Sequence, residues 1–345
     1  MENRAAYMTG LNTIEMRNVE IPVIKENEVL IKLEYIGICG SDVHYLENGR
    51  IGDFIVEGDF ILGHECAGRV EAVGKAVTSL KRGDKVALEP GCTCGQCEFC
   101  KLGKYNLCPD VKFLATPPYQ GCLTKYLAYP ASMCFLLPEN VSTKEGALVE
   151  PLAVGMHAIR QGRVGPGKSV MILGSGCIGL VTLFSGILHG AADITVADMI
   201  DKRLASAKKL GADQVINVKD EDILKRVEEI TDGRGFDVII ETAGNEITIG
   251  QTPYLVKRGG CIVLVGLAAE DTIPFNFAKI MNKEVEIKSV FRYRNLYDAS
   301  IRAVAKGMID ISSIVTHEFD FEDTANAFKY VINNKNDVVK AVIKL

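Results

Sequence analysis

Gly63-His64-Glu65 closes the short apolar run Phe60-Ile61-Leu62 and sets an imidazole beside a carboxylate. With Cys39 and Glu150 elsewhere in the chain, these are the ligand types that hold a zinc ion with one coordination position open. A histidine next to a glutamate is common in loops, so the tripeptide alone carries little weight. A second constellation carries more: Cys94-Gly-Gln-Cys97-Glu-Phe-Cys100, followed by Cys108. Four thiolates this close in sequence can close a tetrahedron around one zinc and leave no position for water, which makes such a site structural. Cys92 is a nearby fifth thiol that could compete as a ligand. Cys66, Cys122, Cys134, Cys177 and Cys261 fit better as buried apolar fillers.

A third constellation binds a different kind of ligand. The apolar run Val170-Met171-Ile172-Leu173 reads as a buried strand and feeds Gly174-Ser175-Gly176-Cys177-Ile178-Gly179, after which Leu180 to Phe184 begins a helix. Gly174, Gly176 and Gly179 let the backbone turn tightly, approach a pyrophosphate, and pack helix on strand, while the helix amides behind Ile178 face the phosphates. A second strand, Ile194 to Ala197, ends in Asp198. An acid there can accept the adenosine ribose hydroxyls and repels a 2′-phosphate, which favours NAD over NADP. Arg203 could accommodate a 2′-phosphate if the acid were missing; with Asp198 present, the expectation stays NAD.

The elements that position these groups fall into two kinds. Before residue 150, short strands such as Glu28 to Ile36, Gly68 to Gly74 and Asp84 to Leu88 are separated by glycine turns, which argues for a β-rich domain. From residue 170 onward, apolar strands at Gln214–Asn217, Phe236–Glu241, Cys261–Val265 and Val285–Val290 alternate with helical stretches such as Ile223–Ile230, the pattern of a parallel doubly wound sheet. Between them, Glu150-Pro151 opens a helix, because proline suits the first helical position and a carboxylate is favoured there by the helix dipole. At 345 residues and 48% hydrophobic, the chain can bury two cores.

Taken with the phrase Gly37-Ile38-Cys39-Gly40-Ser41-Asp42-Val43-His44, these motifs and their order make the chain resemble the medium-chain zinc-dependent alcohol dehydrogenases, and within them the sorbitol (polyol) dehydrogenases. The resemblance runs from about the first strand to the C-terminus. It implies an α/β protein with a chaperonin-10-like β-rich catalytic domain, residues 1–150 and 291–345, and an inserted NAD-binding Rossmann domain, residues 151–290, with the active cleft between them. It also implies two zinc ions per chain. The catalytic one would sit on Cys39, His64 and Glu65, with Glu150 as a direct ligand or as the holder of a water; the structural one would sit on Cys94, Cys97, Cys100 and Cys108. Val265-Gly266-Leu267 would line the nicotinamide. Tyr45, Arg292 and Tyr293 match positions where polyol dehydrogenases contact substrate.

The expected reaction is hydride transfer from a secondary alcohol to NAD, with Ser41 or a water held by Glu150 taking the hydroxyl proton. The expected substrate is a polyol such as sorbitol or xylitol, interconverted with its 2-ketose. Another secondary alcohol of the family, such as butanediol, threonine or a hexitol phosphate, is the alternative. A net charge of −5 gives no electrostatic reason to expect nucleic acid or an anionic membrane as a partner. No apolar run reaches the ~20 residues that span a bilayer, and Met1-Glu2-Asn3-Arg4 is not followed by a signal-like segment, so the expected location is cytoplasmic. The apolar strand near residues 285–290 reads as an edge that a second copy covers, giving a homo-oligomer, a tetramer by resemblance.

Overall fold

Glu28–Ile38 is the strand on which the first half of the molecule is assembled. The computed structural model describes residues 2–268, 270 and 272–345, and in it this strand runs to Ile38 rather than stopping at Ile36. Its alternating Val29, Ile31, Leu33 and Ile36 are buried, with 0–1% exposure, each contributing about 1.5–3 kcal/mol by leaving water. One edge pairs antiparallel with Glu65–Val73. The other pairs first with Tyr126–Pro130 and then with the C-terminal strand Lys340–Lys344. The sheet continues outward to Lys85–Leu88 and Cys134–Leu136 on one side and to Val315–Asp320 on the other.

Register decides what this sheet presents at its end. Gly37 lies opposite Glu65 on one neighbour and opposite Val342 on the other, while Ala341 faces Ile38. Lys340 therefore falls just beyond Ile38, level with the start of the helix Gly40–Asn48. These elements belong to a unit made of the residues up to Glu150 together with Tyr297–Leu345.

Pro151–Leu296 forms the second unit. Its six strands are all parallel and run in the order Gln214–Asn217, Asp193–Asp198, Ser169–Leu173, Phe236–Glu241, Val256–Leu264, Glu286–Ser289. Parallel strands covered on both faces are apolar throughout, and Met171, Ile239, Val256 and Ile262 are all at 0% exposure. The strand order reverses beside Ser169–Leu173, which is the topological switch point where such sheets bind nucleotides. Val256–Leu264 starts ahead of the run at Cys261 because the backbone slips register after pairing Phe236 with Val256. Among the described residues Glu286–Ser289 is paired on one side only. No helix among the described residues is long and apolar enough to cross a membrane.

Candidate active site and cofactor loops

The turn from Ile38 into the helix Gly40–Asn48 makes Cys39 the helix N-cap, in extended conformation. His64 and Glu65 reach the same place from the start of the neighbouring strand, and the ligand atoms of Cys39, His64 and Glu65 all lie within 4.8 Å of one another. Glu150, 5% exposed in the first turn of the helix Val149–Gln161, is not one of that set. Ser41 follows Cys39 at the half-buried start of the helix.

Two charged residues that sequence reasoning passed over organise this centre. Asp42 is 1% exposed; its Oδ2 accepts from the Cys39 amide at 3.0 Å and its Oδ1 from the Gly63 amide at 2.9 Å. One carboxylate thus ties together the two segments that carry the three metal-ligand candidates. His64 Nδ1 stands 3.5 Å from Asp42 Oδ1, and a carboxylate beside one ring nitrogen is the usual company of a histidine that binds metal through the other. Burial alone would lower the His64 pKa, but the Asp42 charge and the Cys39 sulfur outweigh it and raise it well above the ordinary value. The other residue is Lys340, 3% exposed. Its Nζ donates to Glu65 Oε1 at 2.6 Å and to the Ile38 carbonyl at 3.1 Å, and it also pairs with Glu65 Oε2. Gly37 makes room for that carboxylate, since a Cβ there would lie 1.9 Å from Glu65 Oε2.

A half-buried thiol converging with a buried imidazole and carboxylate, with no fourth such ligand grouped with them among the described residues, fits zinc in its open form. The second cluster fits the closed form. Cys94, Cys97, Cys100 and Cys108 have their sulfurs within 4.8 Å of one another. The Cys94–Cys108 and Cys94–Cys100 separations are 3.6 and 4.0 Å, close to the edge of about 3.8 Å expected for a tetrahedron with 2.3 Å metal–sulfur bonds. The Gln96 and Cys97 amides draw the Cys94 thiol down to about 7, which favours the thiolate that a metal needs. Behind this lobe, Tyr105 donates to Glu89 Oε1 at 2.7 Å, and burial pushes that carboxyl up to about 7.

In the second unit, Gly174 has φ +97°, a left-handed turn that only glycine takes without strain, and a Cβ on Gly179 would lie 2.0 Å from the Gly174 carbonyl oxygen. The helix Cys177–Leu188 thereby starts hard against the strand, with Ile178 in its first turn. Gly176 is its N-cap and supplies no capping side chain, so the first amides face outward as a phosphate cradle. Asp198 reaches this loop directly: Oδ2 accepts from the Ser175 amide at 2.7 Å and Oδ1 from the Met199 amide at 2.7 Å. The Arg203 guanidinium stands beside Gly176, with Nη1 3.7 Å from where a Cβ would be. Val265, Gly266 and Leu267 follow the next strand but one, with Leu267 69% exposed.

Of the residues expected to meet substrate, Tyr45 and Tyr293 are each 3% exposed, and the Tyr45 ring lies 6.3 Å from that of Phe60. Contact with either would be made inside the protein. Arg292 adopts φ +57° with its guanidinium over the Phe291 ring at 4.7 Å. A bulky residue in left-handed backbone is uncommon, and such strain concentrates at functional positions.

Comparison with known proteins places this geometry. A family model described as "Alcohol dehydrogenase GroES-like domain" matches residues 25–139, and "Zinc-binding dehydrogenase" matches residues 177–311. An uncharacterized zinc-type alcohol dehydrogenase-like protein of Escherichia coli K12 is 51% identical, covering 100% of this chain and 99% of that one. The sorbitol dehydrogenase of Bacillus subtilis is 43% identical over 99% of this chain and 96% of its own. The chain belongs to the zinc-binding alcohol dehydrogenases. A crystal structure from Escherichia coli of an oxidoreductase/dehydrogenase of unknown specificity, 50% identical, superposes with a TM-score of 0.97 over 100% of this chain and 99% of that one. The GroES-like and Rossmann-like architectures of the family are those of the two units, and the family's cofactors are zinc and a nicotinamide nucleotide, for which the ligand sets and the glycine loop provide.

Proposed function

We propose that the chain is an NAD-dependent zinc polyol dehydrogenase that interconverts a polyol of the sorbitol or xylitol type with its 2-ketose. The observation that carries this reading is the open Cys39–His64–Glu65 set, its imidazole and carboxylate buried, in a chain 43% identical to a sorbitol dehydrogenase over 99% of its length. Zinc bound there supplies Lewis acidity that lowers the pKa of an alcohol, and NAD accepts the hydride. Cys39, His64 and Glu65 hold the metal; Asp42 orients His64, and Lys340 balances the charge of Glu65. Glu150, outside the ligand set, acts through a water, and either that water or Ser41 carries the hydroxyl proton away. Asp198 receives the adenosine ribose, and its carboxylate, which repels a 2′-phosphate, keeps the cofactor NAD with Arg203 nearby. Arg292, with Tyr45 and Tyr293, supplies partners for the polyol hydroxyls, each of which costs about 1–3 kcal/mol if desolvated and left unpaired.

The second reading is a different secondary alcohol, such as butanediol, threonine or a hexitol phosphate. It is favoured by likeness to a 2R,3R-butanediol dehydrogenase of Bacillus subtilis and a galactitol-1-phosphate dehydrogenase of Escherichia coli, 28% and 26% identical, each with a TM-score of 0.91. The deciding measurement is kcat/KM with NAD across sorbitol, xylitol, galactitol, 2,3-butanediol, threonine and hexitol phosphates, repeated in Arg292→Leu. A tenfold preference for a non-polyol, or polyol turnover unaffected by the substitution, overturns the assignment.

The protein works in the cytoplasm as a homo-oligomer, a tetramer, in this reading. The one-sided strand Glu286–Ser289, with Ile287 and nearby Phe291 44% and 48% exposed, is an edge that native proteins cover. A monomeric mass by light scattering at micromolar concentration would remove the oligomer from the proposal.

A further inference from the structure

Glu241 ends the strand Phe236–Glu241 and is completely buried. Its Oε1 accepts three hydrogen bonds, from the amides of Ala243 and Gly244 in the loop that follows at 2.9 Å each and from Thr248 Oγ1 on the helix Glu246–Leu255 at 2.8 Å. Its main-chain carbonyl accepts from the amides of Val265 and Gly266 at 2.9 and 3.0 Å. One residue therefore fastens two loops, 242–245 and 265–267, to a single strand end.

The two loops touch. A Cβ on Gly266 would lie 2.2 Å from the Gly244 nitrogen and 2.9 Å from Glu241 Oε2, and a Cβ on Gly244 would meet the Leu267 carbonyl oxygen at 2.6 Å. Thr242 carries the chain of contacts onward, its Oγ1 donating to the Leu173 carbonyl at 2.8 Å and the Gly174 carbonyl at 3.2 Å. All of this lies on one side of the strand Ser169–Leu173, while Asp198 lies on the other. A dinucleotide crosses a doubly wound sheet at this reversal, adenosine on one side and nicotinamide on the other.

Burying an acid is expensive, and Glu241 Oε2 has no hydrogen-bond partner among the described residues, a cost that needs a return elsewhere. We infer that Glu241 is a positioning residue for the nicotinamide half of the cofactor: it sets the height of Val265–Leu267 against the glycine loop and leaves the adenosine half alone. The inference rests on reading the second unit as the NAD site. Glu241 does not touch the reacting atoms; it acts through the Gly244 and Gly266 backbones.

The test compares NADH with ADP-ribose, which lacks the nicotinamide, by titrating the purified full-length protein and its Glu241→Ala, Glu241→Gln and Thr248→Val variants by calorimetry. In Glu241→Ala the NADH Kd rises by about tenfold or more, while the ADP-ribose Kd stays within twofold. Glu241→Gln keeps an oxygen for the three donors and restores NADH binding to within threefold. Thr248→Val, which removes one donor and disturbs the fold least, gives an intermediate loss of NADH binding and stands in if the alanine variant does not fold. Equal weakening of both ligands would mean general loosening of the unit and would overturn the inference, as would unchanged NADH binding in both Glu241→Ala and Thr248→Val, or a glutamine variant as impaired as the alanine one. If the unsubstituted protein binds neither ligand, the NAD reading itself falls and takes this one with it.

Discussion

Replacing Lys340 with methionine keeps most of the side-chain volume and removes one charge from a pair in which both members are at most 3% exposed. Glu65 is then a buried carboxylate without its counter-ion, and breaking a buried pair from one side costs about 3–5 kcal/mol. For a unit of this size each kcal/mol lowers the melting temperature by about 2–4 °C, so metal-free Lys340→Met should melt about 6–20 °C below the metal-free parent. Zinc bound at Cys39, His64 and Glu65 supplies positive charge to the same carboxylate, so the gap should shrink by at least half once both proteins are reloaded. Calorimetry with and without chelator measures this, and a cycle with Glu65→Gln and the double variant isolates the pair, with an expected coupling of at least ~1 kcal/mol. A metal-free shift under 2 °C, or a gap that zinc leaves unchanged, would refute the reasoning.

Two further outcomes follow from single buried contacts. Burial holds the Glu89 carboxyl at about 7 against an ordinary 4.5, with the Tyr105 hydrogen bond opposing the shift and Asp298 adding to it; the folded state therefore binds the extra proton between those values, and stability falls as pH rises through that window. Glu89→Gln, which keeps an acceptor for Tyr105, should be more stable than the parent by about 1–3 kcal/mol at pH 8 and equal to it at pH 4.5; the same difference by urea titration at both pH values would show that ionisation is not the cause. Gly37→Ala places a methyl 1.9 Å from Glu65 Oε2, so zinc by elemental analysis should fall from two per chain toward one, with the four-cysteine site retained; two zinc ions in the variant would show that Glu65 can move aside.

The parts of the site that are legible in the sequence are those whose partners are near in the chain or whose chemistry is rare. Cys94 to Cys108 fall within one lobe, and His64 adjoins Glu65, so spacing alone brings the ligands together. The central parallel strands of the second unit, such as Ser169–Leu173 and Phe236–Glu241, read clearly because both of their faces are buried, and Val-Met-Ile-Leu before a glycine loop has few other meanings. Asp42 is hidden for a different reason: an acid at the third position of a helix ordinarily completes a cap, and only the fold shows that its second oxygen reaches the Gly63 amide. Lys340 opens an apolar strand 275 residues from Glu65, and nothing beside it marks a partner; antiparallel pairing with Glu28–Ile38 creates the contact. Glu241 is similarly silent, since a strand-terminal acid looks like solvent-facing polarity until the backbones of Gly244 and Gly266 are seen to close over it.

The pairing of Lys340–Lys344 with Glu28–Ile38 also imposes an order on biosynthesis. At about 5–20 residues per second, a ribosome makes Lys340 roughly 15–55 s after Glu65, a separation of 275 residues. Once Cys39, His64 and Glu65 have cleared the exit tunnel, the strand edge beside Ile38 is still open and the carboxylate has no resident cation. A nascent chain can thus meet zinc before it meets its own lysine, and the metal can serve as the temporary counter-ion that lets the first sheet close.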